Sequence, residues 1–212
     1  MYRVNEIFYS LQGEGFWTGT PMVFIRLSGC NLRCSFCDTK HQEFRLMSAE
    51  DIVRTVSKID REANKNNPSW DDCGHVCITG GEPLLQLDSD LISALHKHDY
   101  TIHLETNGTK PVPPMVDWVT LSPKEDVPHI GPAAKVVLDQ VQEVKLVYDG
   151  TMTEERLNRW AAFPARWHFL QPCDTGDPQK NARIIKATID YIKSHGGMWR
   201  LSLQTHKLLG IR

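Results

Sequence analysis

A surplus of positive charge is missing from this chain: 24 lysines and arginines stand against 26 aspartates and glutamates, for a net charge of −2. Nothing in that balance would neutralise a phosphate backbone, so nucleic acid is excluded as the main partner. Long apolar runs are missing as well. No stretch approaches the roughly 20 residues that span a bilayer, and the opening MYRVNEIFYSLQGEG has neither the basic start nor the apolar core and small-residue cleavage site of a secretory signal. The expectation is a soluble, cytoplasmic protein with no membrane partner. Internal repeats, low-complexity tracts and linkers are absent too, and 212 residues suit one domain with a full hydrophobic core. Residues 1–212 therefore read as a single catalytic domain.

Six cysteines in such a chain argue for thiolates used as ligands rather than for disulfides. Cys30, Cys34 and Cys37 fall within GCNLRCSFCDTK, spaced C-x3-C-x2-C, and here the missing element is a fourth cysteine. Structural zinc takes four nitrogen or sulfur ligands, usually as two separated pairs. Cys73 and Cys77 could be proposed as the second pair, but Cys77 sits in the apolar run HVCIT and should be a core residue. Three thiolates instead suit three irons of a 4Fe-4S cube, whose fourth iron stays open to a small molecule. A non-enzymatic zinc-binding interaction module is the alternative that the missing ligand disfavours.

Short β-rich runs (VFIRLS, HVCIT, IHLE, WVTLS, EVKLVY, WHFL) alternate with amphipathic stretches such as EDIVRTVSKI and LLQLDSDLISALHKH. This βα pattern predicts an α/β protein with a mainly parallel sheet. Helices are predicted over Ser48 to Ala63, with Ser48 as N-cap and Asp51 three residues on, and over Pro178 to Ser194, with Ile184, Ile185, Ile189 and Ile192 on its buried face. Polar clusters follow nearly every strand: TGGE, ETNG, SPK, YDG, QPCD and QTH. Parallel folds gather active sites at the C-terminal ends of strands, so these clusters predict one polar mouth. Asn64 to Asp72 reads as a polar loop without an assigned function.

The cysteine spacing, with Phe36 just before the third thiol and the glycine-rich strand end ITGGEP, resembles the radical S-adenosylmethionine (SAM) superfamily. In that superfamily SAM chelates the open iron through its amino and carboxylate groups, and glycines let backbone approach its methionine part. SLQGEG, FIRLSGC, CDT, ETNGT, SPK, QPCD and LSLQTHK narrow the resemblance to the 7-carboxy-7-deazaguanine synthase family, from Gln12 to His206. Another radical SAM enzyme, such as a glycyl-radical activating enzyme, would share CxxxCxxC and GGEP without requiring QGEG, CDT or QTHK. The resemblance implies a modified, incomplete (βα) barrel, a homodimer, and an external electron donor of flavodoxin or ferredoxin type. It further implies a 4Fe-4S cluster, SAM and Mg²⁺, serving ring contraction of 6-carboxy-5,6,7,8-tetrahydropterin to 7-carboxy-7-deazaguanine with release of ammonia, a step toward queuosine.

Residue roles carried by the resemblance stand beside plainer ones. Arg26, in an apolar strand, needs an anion: either Glu14 or another structural carboxylate, or the substrate carboxylate that the resemblance implies. Gln12 and Glu14 would sit in a solvated turn, or would meet the donors of the pterin. Asp38 and Thr39 could cap a turn; the resemblance makes Thr39 the Mg²⁺ ligand and leaves Asp38 as a supporting residue. It places Thr79 and His206 at the substrate, and Phe36, Gly81, Ser122, Lys124, Gln171 and Asp174 at the cofactor, with Glu105 and Asn107 in the same mouth. Cys173 reads as a small packed residue, and the contribution of Arg212 stays open. No side chain is assigned as a catalytic acid or base.

Overall fold

The computed structural model describes residues 1–37, 39, 42–65, 74–125 and 134–212. Asp38, Cys73 and most of the Asn64–Asp72 loop lie outside the described residues. In chain order the elements are β1 (Tyr2–Leu11), β2 (Pro21–Leu27), β3 (Arg45–Met47), α1 (Ala49–Asn64), β4 (His75–Gly80), a short 3-10 turn (Pro83–Leu85), α2 (Ser89–His96), β5 (Thr101–Thr106), β6 (Trp118–Leu121), β7 (Val141–Tyr148), α3 (Glu154–Ala161), β8 (Ala165–Pro172), α4 (Pro178–Ser194), β9 (Arg200–Leu201) and α5 (Thr205–Leu209). They build one nine-stranded sheet ordered β3-β1-β2-β4-β5-β6-β7-β8-β9. From β2 onward each pair is parallel, while β1 runs antiparallel to both of its neighbours. No helix among the described residues is long and apolar enough to cross a membrane.

Strand periodicity decides which face becomes core and which becomes site. Successive side chains point to opposite faces. Val76 and Ile78 of β4, Ile102 and Leu104 of β5, and Val144 and Leu146 of β7 enter the apolar layer under the helices. The residues between them, Cys77 and Thr79, His103 and Glu105, Glu143 and Lys145, face the other way. A slip of one residue would exchange the two sets, so burial of the apolar set fixes the register and with it the polar lining.

β1 escapes a periodicity reading because its alternation breaks. A register shift between Val4 and Glu6 moves the strand from Tyr2 and Val4 in the helix-side core to Ile7 and Tyr9 packed on that same core, leaving Phe8 on the inner face with Phe24 and Cys77. An even-numbered face thus becomes an odd-numbered one across a single bulge. At its far end the chain turns through residues 12–15 and meets the segment after β9: Thr205 N donates to Gly13 O at 2.9 Å, Gly15 N to Ser202 Oγ at 2.9 Å, and Gln204 Nε2 to Glu14 Oε1 at 2.9 Å. The sheet is an incomplete barrel, and this loop, not a strand pair, spans its open side.

Both predicted helices form. Ser48 caps α1 in a reciprocal capping box with Asp51, and α4 runs from Pro178 to Ser194 behind an Asp177 cap. Its buried face differs from expectation: Ile185 and Ile189 are 37% and 38% exposed. The stripe against the sheet runs through Ile184, Ala187, Thr188 and Tyr191, spaced i, i+3, i+4, i+7. At about 100° per residue, Ile185 and Ile189 lie more than a quarter turn from its centre, while Ile192 packs on the same cluster as expected.

Candidate active site

The cysteine loop begins where β2 ends, and β4 supports it from beside. Gly81 N donates to Leu27 O at 3.0 Å and Glu82 N to Gly29 O at 2.9 Å. A Cβ on Gly81 would lie 2.1 Å from Gly29 O and 3.0 Å from Cys30 Cβ, so only glycine allows this approach. Glu82 is fully buried and accepts from Leu84 N (2.9 Å), Thr106 Oγ1 (2.8 Å) and Asn107 N (2.8 Å). Asn107 in turn donates to Asn31 Oδ1 at 3.1 Å. The ends of β4 and β5 are thereby bolted to the loop that carries the thiols.

Two cavities open at this end of the sheet. The smaller, of about 210 Å³, is lined by Cys30, Cys34, Phe36, Cys37, Gly81, Asn107, Ser122, Lys124, Gln171, Cys173 and Asp174. The larger, of about 1010 Å³, is lined by Gln12, Glu14, Arg26, Thr39, Cys77, His206 and Arg212. Thr79, Glu105, Glu14 and Gln204 line both, so the two spaces meet along one wall.

At that wall lies Lys145, 5% exposed, with its ammonium 2.7 Å from Glu14 Oε2 and 2.8 Å from Glu105 Oε2. Burial pushes the Glu14 carboxyl up, but the Lys145 charge and the hydrogen bonds of Lys145 and Gln204 outweigh it and hold the group down at about 2. For Glu105 burial prevails over the same ammonium and the carboxyl is raised. Burial would lower Lys145 itself, yet the carboxylates of Glu105, Glu14 and Glu143 raise it well above the usual lysine value. One cation serves two carboxylates at nearly equal distances.

The Radical SAM superfamily model matches residues 24–119, from within β2 through the cysteine loop, β4 and β5 to the start of β6. A 7-carboxy-7-deazaguanine synthase from Bacteroides thetaiotaomicron is 44% identical over 212 residues, with all of both chains covered. The chain belongs to the 7-carboxy-7-deazaguanine synthase family. A second such synthase, from Caulobacter vibrioides, is 41% identical across 99% of each chain. The crystal structure of QueE from Escherichia coli superposes with a TM-score of 0.73 at 29% identity, covering 95% of this chain and 93% of that one.

Membership in this synthase family, a branch of the radical SAM enzymes, implies a 4Fe-4S cluster and SAM, and the residues present fit both. Among the described residues, no three His, Cys, Asp or Glu side chains converge on one point as a single metal ion requires. Cys30, Cys34 and Cys37 line one cavity together with Gly81 and Lys124, three thiols for three corners of a cube. Burial and the neighbouring thiols raise Cys30 and Cys34, and Lys124, itself lowered by burial, places its charge close to Cys34. The Lys124 ammonium lies 5.9 Å from the Phe36 ring centre and donates to Ser122 O at 2.9 Å.

In this synthase several residues expected from the sequence have partners within the protein, and for Arg26 the structural-carboxylate alternative holds. Arg26 pairs with Glu6, Nε to Oε1 at 2.8 Å, rather than with Glu14, and Arg212 closes on the same Glu6 while stacking over Phe8 at 4.9 Å. Gln12 and Glu14 are not in a solvated turn: Gln12 is 8% exposed, and its Oε1 accepts from Glu14 N at 3.1 Å. Gln171 accepts from Ser202 Oγ at 2.9 Å. Asp174 binds Lys207, Asn181 and Gly176 N, which hold its carboxyl far below the usual range. Lys145, Glu82 and Gln204 went unassigned. The alternation in VQEVKLVY is the signal for Lys145, since a strand whose partners bury Val144 and Leu146 must turn residue 145 into the barrel.

Beneath Lys145, two residues earlier on β7, Glu143 is 2% exposed. Its Oε2 accepts from Phe16 N (3.2 Å) and Trp118 Nε1 (3.3 Å), while Oε1 has no partner among the described residues. Phe16 and Trp17 fill this floor, Phe16 stacking on Trp118 and Trp167 with centres 5.1 Å apart. Burial pushes the Glu143 carboxyl up to about 7. The folded protein then keeps a proton that the unfolded chain has lost, so stability falls as pH rises from the ordinary carboxyl range to about 7. At about 1.4 kcal/mol per pKa unit, the loss is on the order of 3–4 kcal/mol. Glu143→Gln is expected to raise the unfolding midpoint at mildly alkaline pH and to change it little at acidic pH, measured by thermal melts across that range.

Proposed function

We propose that the chain is a single catalytic domain that contracts the ring of 6-carboxy-5,6,7,8-tetrahydropterin to 7-carboxy-7-deazaguanine with loss of ammonia. The supporting observation is the shared wall of the two cavities: the space beside the three cysteines opens at Glu14, Thr79, Glu105 and Gln204 onto a larger polar space. A radical made in one space must meet a single C–H bond in the other, and adjacency across a common wall provides that orientation.

When bound, the cluster and SAM supply a 5′-deoxyadenosyl radical. The protein's residues hold the reactants. Cys30, Cys34 and Cys37 ligate the cluster. Gly81 admits the methionine part of SAM, and Phe36, Asn107, Ser122, Lys124, Gln171 and Asp174 enclose the rest. On the substrate side the ionised Glu14 accepts N–H donors from the guanidine-like pterin edge, Gln12 supports it, and Arg26 with His206 faces the ligand's anionic and carbonyl oxygens. Thr39, which lines the larger cavity, would offer its hydroxyl to a Mg²⁺, a hard cation suited to oxygen donors. The proposed enzyme acts as a cytoplasmic homodimer, with electrons delivered by a flavodoxin or ferredoxin.

Binding of 6-carboxypterin, a fluorescent analogue, to the cluster-loaded protein tests the pocket. Glu14→Gln keeps the shape but removes the charge, and affinity is expected to fall by about 1–3 kcal/mol, a roughly 5- to 150-fold rise in Kd. Unchanged affinity in Glu14→Gln would remove Glu14 from the pterin site.

A further inference from the structure

We infer that Lys145 is the positioning residue of the pterin pocket: its ammonium holds Glu14 and Glu105 together at the junction of the two cavities and keeps Glu14 an acceptor for the substrate's N–H edge. The inference rests on the pterin reading above and deepens it. Lys145 lies on the inner face of β7, while Glu14 comes from the loop after β1 and Glu105 from β5. Three elements far apart in sequence therefore converge on a single nitrogen.

The fold itself gives little reason for this lysine. Replacing a buried ion pair or triad by apolar groups is often neutral or stabilising, because desolvation offsets the attraction. The other three flanking positions of β7 that are fully or nearly fully buried, Glu143, Val144 and Leu146, either serve the barrel floor or pack under the helices. What Lys145 supplies is charge at a place where two carboxylates already stand. Without it, Glu14 and Glu105 would face each other in a water-poor wall, and like charges that close favour sharing a proton. A protonated Glu14 has lost an acceptor and gained a donor, the wrong complement for an edge that offers N–H groups.

The other charged groups around the junction do not replace it. Glu143 lies below on the same strand, Lys124 approaches from the segment after β6, and His206 of α5 packs against Gly13, next to Glu14. Gln204 also donates to Glu14 Oε1, at 2.9 Å, but carries no charge. Lys145 alone reaches both carboxylates by direct ion pairs among the described residues.

The test is a fluorescence titration of 6-carboxypterin into cluster-loaded wild type, Lys145→Met and Lys145→Arg between about pH 6 and 7.5, with SAM affinity measured alongside. In wild type the Kd is expected to stay nearly flat. Lys145→Met should raise it about tenfold or more at the acidic end, with the gap narrowing toward the alkaline end as Glu14 ionises. Lys145→Arg, which keeps the charge, should remain insensitive to pH, and SAM affinity should change less than pterin affinity. Lys145→Met with wild-type affinity throughout would overturn the inference, as would equal weakening at every pH with SAM affinity lost in parallel, the mark of a collapsed wall. A wild type that binds no pterin at any pH would overturn the substrate reading and this inference with it.

Discussion

Replacing any one of Cys30, Cys34 or Cys37 by alanine is expected to abolish the iron-sulfur cluster and turnover together. The three thiols sit on one loop at the end of β2, inside eight residues, and the other two cysteines among the described residues are otherwise placed: Cys77 is fully buried on the strand face beside Gln12, and Cys173, at the rim of the same cavity, directs its thiol to Asp174 O at 3.8 Å. Losing one thiolate leaves two corners held and two open, which does not retain a cube against exchange with solvent thiols. Iron and sulfide content after anaerobic reconstitution measures the first effect, and SAM cleavage the second. The fold should survive, because the loop hangs from backbone bonds of Gly29, Gly81 and Glu82 that do not involve sulfur. An alanine variant that keeps a full cluster and turns over would remove that cysteine from the ligand set.

Gly81→Ala is expected to act almost as strongly, and through sterics alone. The new methyl would stand 2.1 Å from Gly29 O and 2.6 Å from its carbonyl carbon, both rigid backbone, and 3.0 Å from Cys30 Cβ. Nothing flexible is available to yield, so the cysteine loop must move away from β4 or the strand end must rotate. Either response displaces Cys30 and breaks the Glu82 N to Gly29 O bond, whose loss costs about 1 kcal/mol before any strain is counted. SAM affinity and cluster content are expected to fall at least tenfold in this variant. Gly196→Ala is the control, because a Cβ there meets nothing within 4 Å and its backbone needs no left-handed conformation. Comparable losses in both variants would show that the effect is not local.

Much of this site could be read before the fold was known, for reasons that differ from residue to residue. The cysteine loop and GGEP are contiguous in sequence, and their chemistry is carried by spacing and by missing side chains. α1 was legible because its capping box lies within four residues. Lys145 was not, because its meaning depends on Glu14 and Glu105, 131 and 40 positions away, and only the curl of the sheet brings them together. Arg26 was legible only in part for the same reason: an arginine in an apolar run calls for a structural carboxylate without saying which, and pairing of β1 with β2 sets Glu6 directly across from it. β1 itself was hidden by a bulge that exchanges its faces midway. The buried face of α4 was legible in half: Ile184 and Ile192 pack toward the sheet, but Ile185 and Ile189 do not, and the smaller, less apolar Ala187 and Thr188 take their place.

The measurement that reaches the central claim most directly is anaerobic turnover of the reconstituted protein with SAM, Mg²⁺, a reductant and 6-carboxytetrahydropterin, followed by mass spectrometry of the products. The account predicts 7-carboxy-7-deazaguanine, dependent on both SAM and the pterin. Cleavage of SAM to 5′-deoxyadenosine with the pterin returned unchanged would contradict it, leaving a radical SAM enzyme whose larger cavity serves a different substrate.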